Sequence, residues 1–350
     1  MSNPTFEALY NKGELKAVFI GGSITEGAGA RDKRNRWATR ITGWLNSLPL
    51  GDTHITEINA GIGGTESTYG ILRLQRDVLQ HKPDMVFLEF AVNDTGIPAE
   101  LSAQCYEGIL YKLSQLDPVP YVICLGVVSN HNKPTRSALH RQLAAKYGLQ
   151  YIDVKEGMDA QIGLAEPGVN TERDSMFARD NIHPSDKGYE FYADYIRSQL
   201  TNDSFRKPYC ASPSPDRWQK TGRFINAVDM AYTGAWEVMG EGDWNAQNHG
   251  RKGSSMISRD PEGALICEFT GKVMMPILRI GRTYGKMAMT LDGVTTEYDL
   301  YYATDHQPVA MAWRFDLADG PHRLEFRALG TKNEKSTDDL VRIDTVIVEE

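Results

Sequence analysis

Cysteine is scarce and unpatterned. The chain holds Cys105, Cys124, Cys210 and Cys267 with no C-x-x-C pair and no histidine at metal-ligand spacing. Neither a disulfide framework nor a zinc site is implied, and the four read as reduced thiols. Long hydrophobic runs are missing as well, since no apolar stretch approaches the roughly 20 residues that a membrane span requires. The N-terminus, Met-Ser-Asn-Pro-Thr-Phe-Glu, lacks the basic and apolar parts of a signal peptide, which sets the expectation of a soluble, cytoplasmic protein. Nor is there an excess of positive charge. The net charge is −8, with 25 basic against 26 acidic residues through Arg223 and 13 against 20 beyond it. Without a basic stripe, nucleic acid and membranes are not expected partners.

What is present is ordinary globular composition over 350 residues, 41% hydrophobic and 24% charged, enough chain for two cores. Apolar runs at 17–20, 55–60, 84–91, 121–128 and 150–154 alternate with helical patterns near 36–48, 67–80, 100–115, 135–147 and 184–200. Nearly continuous apolar strands separated by helices predict an α/β fold, a three-layer α/β/α sandwich with a parallel sheet, over residues 1–200. Residues 201–223, with Pro208, Pro213 and Pro215 among serines and charged residues, read as a linker. Beyond it the period shortens. Stretches at 264–269, 286–291, 309–315, 322–328 and 341–348 are separated by turn dipeptides such as Asp292-Gly293 and Asp319-Gly320, which predicts an all-β sandwich over 224–350.

The chain is organised around Lys-Ala-Val-Phe-Ile-Gly-Gly-Ser-Ile-Thr-Glu-Gly at 16–27, a buried strand ending in two glycines and Ser23. Ligands of open α/β sheets bind at strand carboxyl ends, so Ser23 is a candidate nucleophile, against the plainer reading of a helix cap. Asn59-Ala60-Gly61-Ile62-Gly63-Gly64-Thr65 ends the second strand and can turn a backbone N–H outward, or be only a tight turn. Asn93, in Val92-Asn93-Asp94, brings an amide to the same edge, although asparagine is common in turns. Asp180-Asn181-Ile182-His183-Pro184 places a carboxylate three residues before an imidazole, close enough to fix its tautomer and leave the other ring nitrogen for a serine. Nucleophile, base, orienting acid and anion-stabilising donors together are what acyl transfer requires.

In these four blocks, Gly-Gly-Ser-Ile-Thr, Gly-Ile-Gly-Gly-Thr, Val-Asn-Asp and Asp-Asn-Ile-His-Pro, the chain resembles the SGNH hydrolases, also called the GDSL esterase family, over about residues 16–200. The resemblance implies a flavodoxin-like esterase domain with Ser23, Asp180 and His183 as the triad and Ser23, Gly64 and Asn93 as the oxyanion hole. Lipase-like members usually carry Gly-Asp-Ser-Leu where this chain has Gly-Gly-Ser-Ile, so the aspartate beside the nucleophile is absent. The resemblance therefore leans toward members acting on acylated sugars. The strand pattern and the ending Arg342-Ile343-Asp344-Thr345-Val346-Ile347-Val348 look like the jelly-roll-like carbohydrate-binding sandwiches appended to such esterases.

The expected activity is removal of O-acetyl groups from acetylated oligosaccharides through an acyl-enzyme, with no metal or organic cofactor. Esters of other small or lipid acids are the alternative, and an idle sugar-binding relic is a third reading. His131, after the fourth strand, and Trp218, Trp236, Trp244 and Trp313 are candidates for sugar contact, although core packing is the commoner fate of tryptophan.

Overall fold

The structure, a computed structural model, describes residues 6–131, 134–239, 255–304 and 307–350. The chain divides into two compact units, residues 1–220 and 221–350.

In the first unit, β1 (Glu14–Gly21), β2 (His54–Gly61), β3 (Met85–Glu89), β4 (Tyr121–Gly126) and β5 (Tyr151–Asp153) form a parallel sheet in the order β2-β1-β3-β4-β5. That is the flavodoxin-like order, and the three-layer α/β architecture is as expected. Alternate residues of each strand serve opposite helix layers. Phe19 stacks on Phe87 with ring centroids 4.6 Å apart, and Trp37 meets Phe19 edge-on at 5.3 Å. These rings belong to a core closed by α2 (Trp37–Ser47), α7 (Val154–Gln161) and α9 (Asp186–Gln199), through Ile41, Leu45, Met158, Tyr192 and Ile196. The opposite face of the sheet is covered by α3 (Ser67–Leu72), α5 (Ala99–Ser114) and α6 (Ser137–Lys146). Three short helices, α1 (Ser23–Glu26), α4 (Leu74–Asp77) and α8 (Thr171–Ser175), complete the unit.

Two departures from expectation have local causes. The helix expected over 67–80 breaks at Arg73, where φ −89° and ψ 1° leave the helical region. Arg73 is buried, and its guanidinium donates to Ala60 O at 2.6 Å and Gly21 O at 3.0 Å, so the backbone follows the side chain to the strand ends. α7 and α8 occupy a stretch with no predicted element; β5 stops after three residues because Asp153 accepts from Lys155 N at 3.0 Å and caps α7. The Pro- and Ser-rich segment to residue 220 is held along the first unit. Ser214 donates to Glu107 Oε2 at 2.6 Å, and Trp218 N donates to Gln104 O at 2.9 Å.

The second unit is an antiparallel sandwich, as expected. Its strands are β6 (Gly222–Asn226), β7 (Ala231–Thr233), β8 (Glu237–Val238), β9 (Met256–Ser258), β10 (Ala264–Thr270), β11 (Met274–Ile280), β12 (Lys286–Leu291), β13 (Val294–Asp299), β14 (Gln307–Ala310), β15 (Pro321–Ala328) and β16 (Val341–Glu349). One sheet runs β13-β12-β15-β10-β7, the other β14-β11-β16-β9-β8, with β6 also paired to β16. Asp292-Gly293 turns β12 into β13 with φ 49° and 84°, the left-handed pair that a two-residue hairpin needs. β11 carries no strand expectation and contains Pro276, which pairs in regular register with Val346 and accepts from Met311 N at 3.1 Å, one residue past the end of β14, where no ladder bond asks for the missing N–H; the register shift between Ile277 and Leu278 leaves Asp344 of β16 as the extra residue. The run expected to continue to residue 315 ends at Ala310.

Candidate active site

β1 and β3 are the neighbours at which the strand order reverses, the crevice where such sheets hold ligands. Ser23 follows β1, Asn93 follows β3, and Gly64 follows the adjacent β2. Ser23, His183 and Asp180 meet there, with Asn93 packed over Gly22.

His183 Nε2 lies 2.8 Å from Ser23 Oγ, and His183 Nδ1 lies 2.7 Å from Asp180 Oδ2. A carboxylate only accepts, so Nδ1 carries the proton toward Asp180 and the Nε2 lone pair faces the Ser23 hydroxyl. Asp180 Oδ1 also accepts from the N–H groups of Ile182 at 2.9 Å and His183 at 3.0 Å. Burial raises the Asp180 pKa, but the ring and these two N–H groups outweigh it and hold the carboxyl below its ordinary range. The loop is closed by a bridge between Phe177 and Pro184, and Asn181 sits at φ 57°. Asn130 grips it: its N–H donates to Asn181 O at 2.8 Å, and its side chain donates to Asp174 Oδ1 at 2.7 Å.

Gly22 lies directly under the Asn93 amide. A Cβ there would stand 2.6 Å from Asn93 Oδ1 and 3.3 Å from Nδ2, so with the amide in this position beside the nucleophile turn glycine is the residue that fits. Gly64 adopts the left-handed φ of 68° that glycine favours, and a Cβ on its neighbour Gly63 would stand 3.5 Å from Ser23 Cβ. Beneath them, Arg73 joins the ends of β1 and β2, and Asn59 Nδ2 donates to Thr25 O at 2.8 Å.

Several carboxyl groups went unnoticed in the sequence. Glu26 is half-buried: desolvation raises its pKa against the Gly63 N–H, Arg73, His183 and Arg36. Glu66 is pushed up to about 7, first by desolvation and then by the charge of Asp94. Asp94, fully buried, accepts from Ser67 N, Ser67 Oγ and Ser102 Oγ, each at 2.7 Å, and from His140 Nε2 at 3.0 Å. His140 in turn stacks on Tyr106 with centroids 3.9 Å apart. This network ties α3, α5 and α6 to the Asn93–Gly96 turn. The one available signal was the carboxylate following Asn93. Glu89 accepts from Thr25 Oγ1 at 3.0 Å under the nucleophile turn, and burial pushes it up to about 7.

The proposed sugar contacts fare differently. His131 is half-buried next to Asn130, beside the His183 loop. Trp218 packs on α5 against Gly108, about 8–14 Å down the helix from its start at the active edge, so it is not a cleft residue. Trp236 is 5% exposed in the core of the sandwich, where its face is taken up by packing and cannot stack on a sugar. Trp244 lies outside the described residues. Among the described residues no helix is long and apolar enough to cross a membrane.

A serine, an imidazole and a carboxylate in one hydrogen-bonded line, at the switch point of this fold, belong to a hydrolase acting on ester bonds. Residues 19–191, all within the first unit, match the GDSL-like Lipase/Acylhydrolase family. A crystal structure of a two-domain esterase (CEX) active on acetylated mannans, co-crystallised with mannopentaose, matches 100% of this chain and 96% of its own at TM-score 0.78 and 20% identity. A second structure of that esterase matches 97% of this chain and 92% of its own at TM-score 0.75 and 21% identity. These likenesses are of fold. The uncharacterised lipoprotein YqeF of Bacillus subtilis (strain 168) is 30% identical over 101 residues, 26% of this chain; the match spans 41% of that relative's length.

Proposed function

We propose that this protein removes O-acetyl groups from acetylated carbohydrates through an acyl-enzyme on Ser23. The observation that carries the reading is the continuous line Asp180–His183–Ser23 with the Asn93 amide beside the serine. His183 Nε2 takes the Ser23 proton as Oγ attacks the acetyl carbonyl carbon. The oxyanion is held by the Ser23 and Gly64 N–H groups and the Asn93 amide. Collapse expels the sugar oxygen, which takes its proton from His183. Water, deprotonated by His183, then attacks the acyl-enzyme, and acetate leaves as Ser23 regains its proton. Asp180 stabilises the imidazolium at each stage.

The carbohydrate substrate is supported by the two-unit likeness to an esterase whose own substrate is acetylated mannan, and by Gly22 in place of the lipase-type aspartate. The test is mass spectrometry of acetylated manno- and xylo-oligosaccharides incubated with wild type and with Ser23→Ala. Wild type should release acetyl groups, and Ser23→Ala, still folded, should be slower by about 10⁴-fold or more. Deacetylation by Ser23→Ala at the wild-type rate would overturn the nucleophile; wild-type activity on long-chain aryl esters without activity on sugar acetates would overturn the substrate.

A further inference from the structure

The loop after β2 places its backbone donors one by one. The Ile62 N–H donates to Gly21 O at 3.0 Å, which ties the loop to the end of β1. The Gly63 N–H donates to the carboxylate of Glu26. The Gly64 N–H has no acceptor among the described residues, and neither has the side-chain amide of Asn93. Two donors are thus left for a ligand atom, as an oxyanion requires.

Glu26 is itself held firmly. It ends α1, its N–H donates to Gly22 O at 3.0 Å, and its carbonyl accepts from Arg36 Nη1 at 3.2 Å. Gly61 of β2 packs on its backbone so closely that a Cβ there would stand 2.1 Å from Glu26 N. A Cβ on Gly63 would stand 3.0 Å from Glu26 Oε2 and 3.5 Å from Ser23 Cβ, which puts Gly63 beside both the carboxylate and the nucleophile. Desolvation pushes the half-buried carboxyl up, while the Gly63 N–H and the charges of Arg73, His183 and Arg36 favour its ionised form. Tyr189, whose hydroxyl donates to Ala28 O at 2.7 Å, also lies within reach of its charge.

A peptide unit is planar, so the torsion at Gly63 sets where the Gly64 N–H points. Two successive glycines supply no side chain to fix that torsion. A hydrogen bond from the Gly63 N–H to a carboxylate, about twice as strong as one between neutral groups, supplies the hold that is missing.

We infer that Glu26 is a positioning residue: its carboxylate fixes the Gly63 N–H so that the next peptide presents the Gly64 N–H to the oxyanion, and its charge steadies the imidazolium of His183. The inference rests on the esterase reading and gives the site a second carboxylate, one that acts through Gly63 and His183 rather than on the substrate.

The experiment follows aryl acetate hydrolysis from about pH 5 to about pH 8, the range in which histidine titrates, in wild type, Glu26→Ala and Glu26→Gln, each with a melting curve. Glu26→Ala should lower kcat by about 10- to 100-fold, short of the full loss of an oxyanion donor, with KM little changed. Glu26→Gln keeps an acceptor for the Gly63 N–H and should recover kcat to within about fivefold of wild type at the alkaline end. Removing the negative charge makes the His183 imidazolium easier to deprotonate, so the acid limb of kcat/KM in Glu26→Gln should move to lower pH by roughly half a unit or more. A merely structural glutamate would change the melting curve and leave the acid limb in place. A kcat for Glu26→Ala within about twofold of wild type overturns the inference. So does an unmoved acid limb in Glu26→Gln, a result that is read even if Glu26→Ala fails to fold. Failure of the esterase reading is distinct, because it shows as a wild type that hydrolyses no ester.

Discussion

Gly22→Ala adds one methyl group, and the structure says where it goes. The new Cβ would stand 2.6 Å from Asn93 Oδ1, 3.0 Å from Cγ and 3.3 Å from Nδ2, against an ordinary contact of 3.4–4 Å. Backbone strain is not the issue, because φ −86° and ψ −154° at Gly22 are open to any residue. The Asn93 amide must therefore swing by most of an ångström, away from the oxygen it is proposed to hold. Losing one oxyanion donor costs about 10²–10³ in kcat, or about 2.7–4 kcal/mol, and Gly22→Ala should approach the lower figure. KM should change little, since the amide binds the transition state more tightly than the ester. The assay is steady-state hydrolysis of an aryl acetate by Gly22→Ala, Asn93→Ala and the double variant. If the methyl acts through Asn93, the double variant is no slower than Asn93→Ala alone, because the two changes remove the same interaction. Activity of Gly22→Ala within about threefold of wild type, or full additivity with Asn93→Ala, would refute the reasoning. Gly22→Asp, which restores the lipase-type residue, should be worse still.

Asp94→Ala leaves the Ser67 N–H, the Ser67 and Ser102 hydroxyls and the His140 Nε2–H facing an empty site. A loss of about 3–5 kcal/mol in urea unfolding is expected, with kcat falling as the Asn93–Gly96 turn loosens; a loss under about 1 kcal/mol would remove Asp94 from the support of the site. Glu89 has its carboxyl raised by burial from 4.5 to about 7, so between these values the folded chain holds a proton that the unfolded chain has released. Its contribution to stability is therefore complete below pH 4.5 and is lost as pH rises toward 7, by about 3 kcal/mol. Glu89→Gln should flatten that part of the stability–pH curve, and an unchanged slope would show that Glu89 is not the titrating group.

Local sequence determined a good deal of this protein. The strands ending at Gly21 and Glu89 contain apolar runs cut off by glycine or by a polar residue, and burial on both faces of a parallel sheet requires such runs; β2, at the sheet edge, is more polar and half-exposed. The spacing of Asp180 and His183 was legible because both partners sit in one short loop. Asp292-Gly293 announced its hairpin for a similar reason, since few dipeptides accept two left-handed residues. Tertiary structure decided the rest. The helix over 67–80 breaks because Arg73 reaches strand ends far away in the chain, and β11 survives Pro276 because that residue faces Met311, past the end of β14, where no ladder bond asks for its N–H. Trp236 and Trp313 look alike in sequence, yet one is sealed in the core and the other is half-buried at the wall of an open pocket, according to what the opposing strands cover. Asp94 gathers Ser67, Ser102 and His140 from three helices, and no window of sequence contains them together. A buried carboxylate must find its donors wherever the packed layers bring them, and that convergence is a property of the fold rather than of any segment.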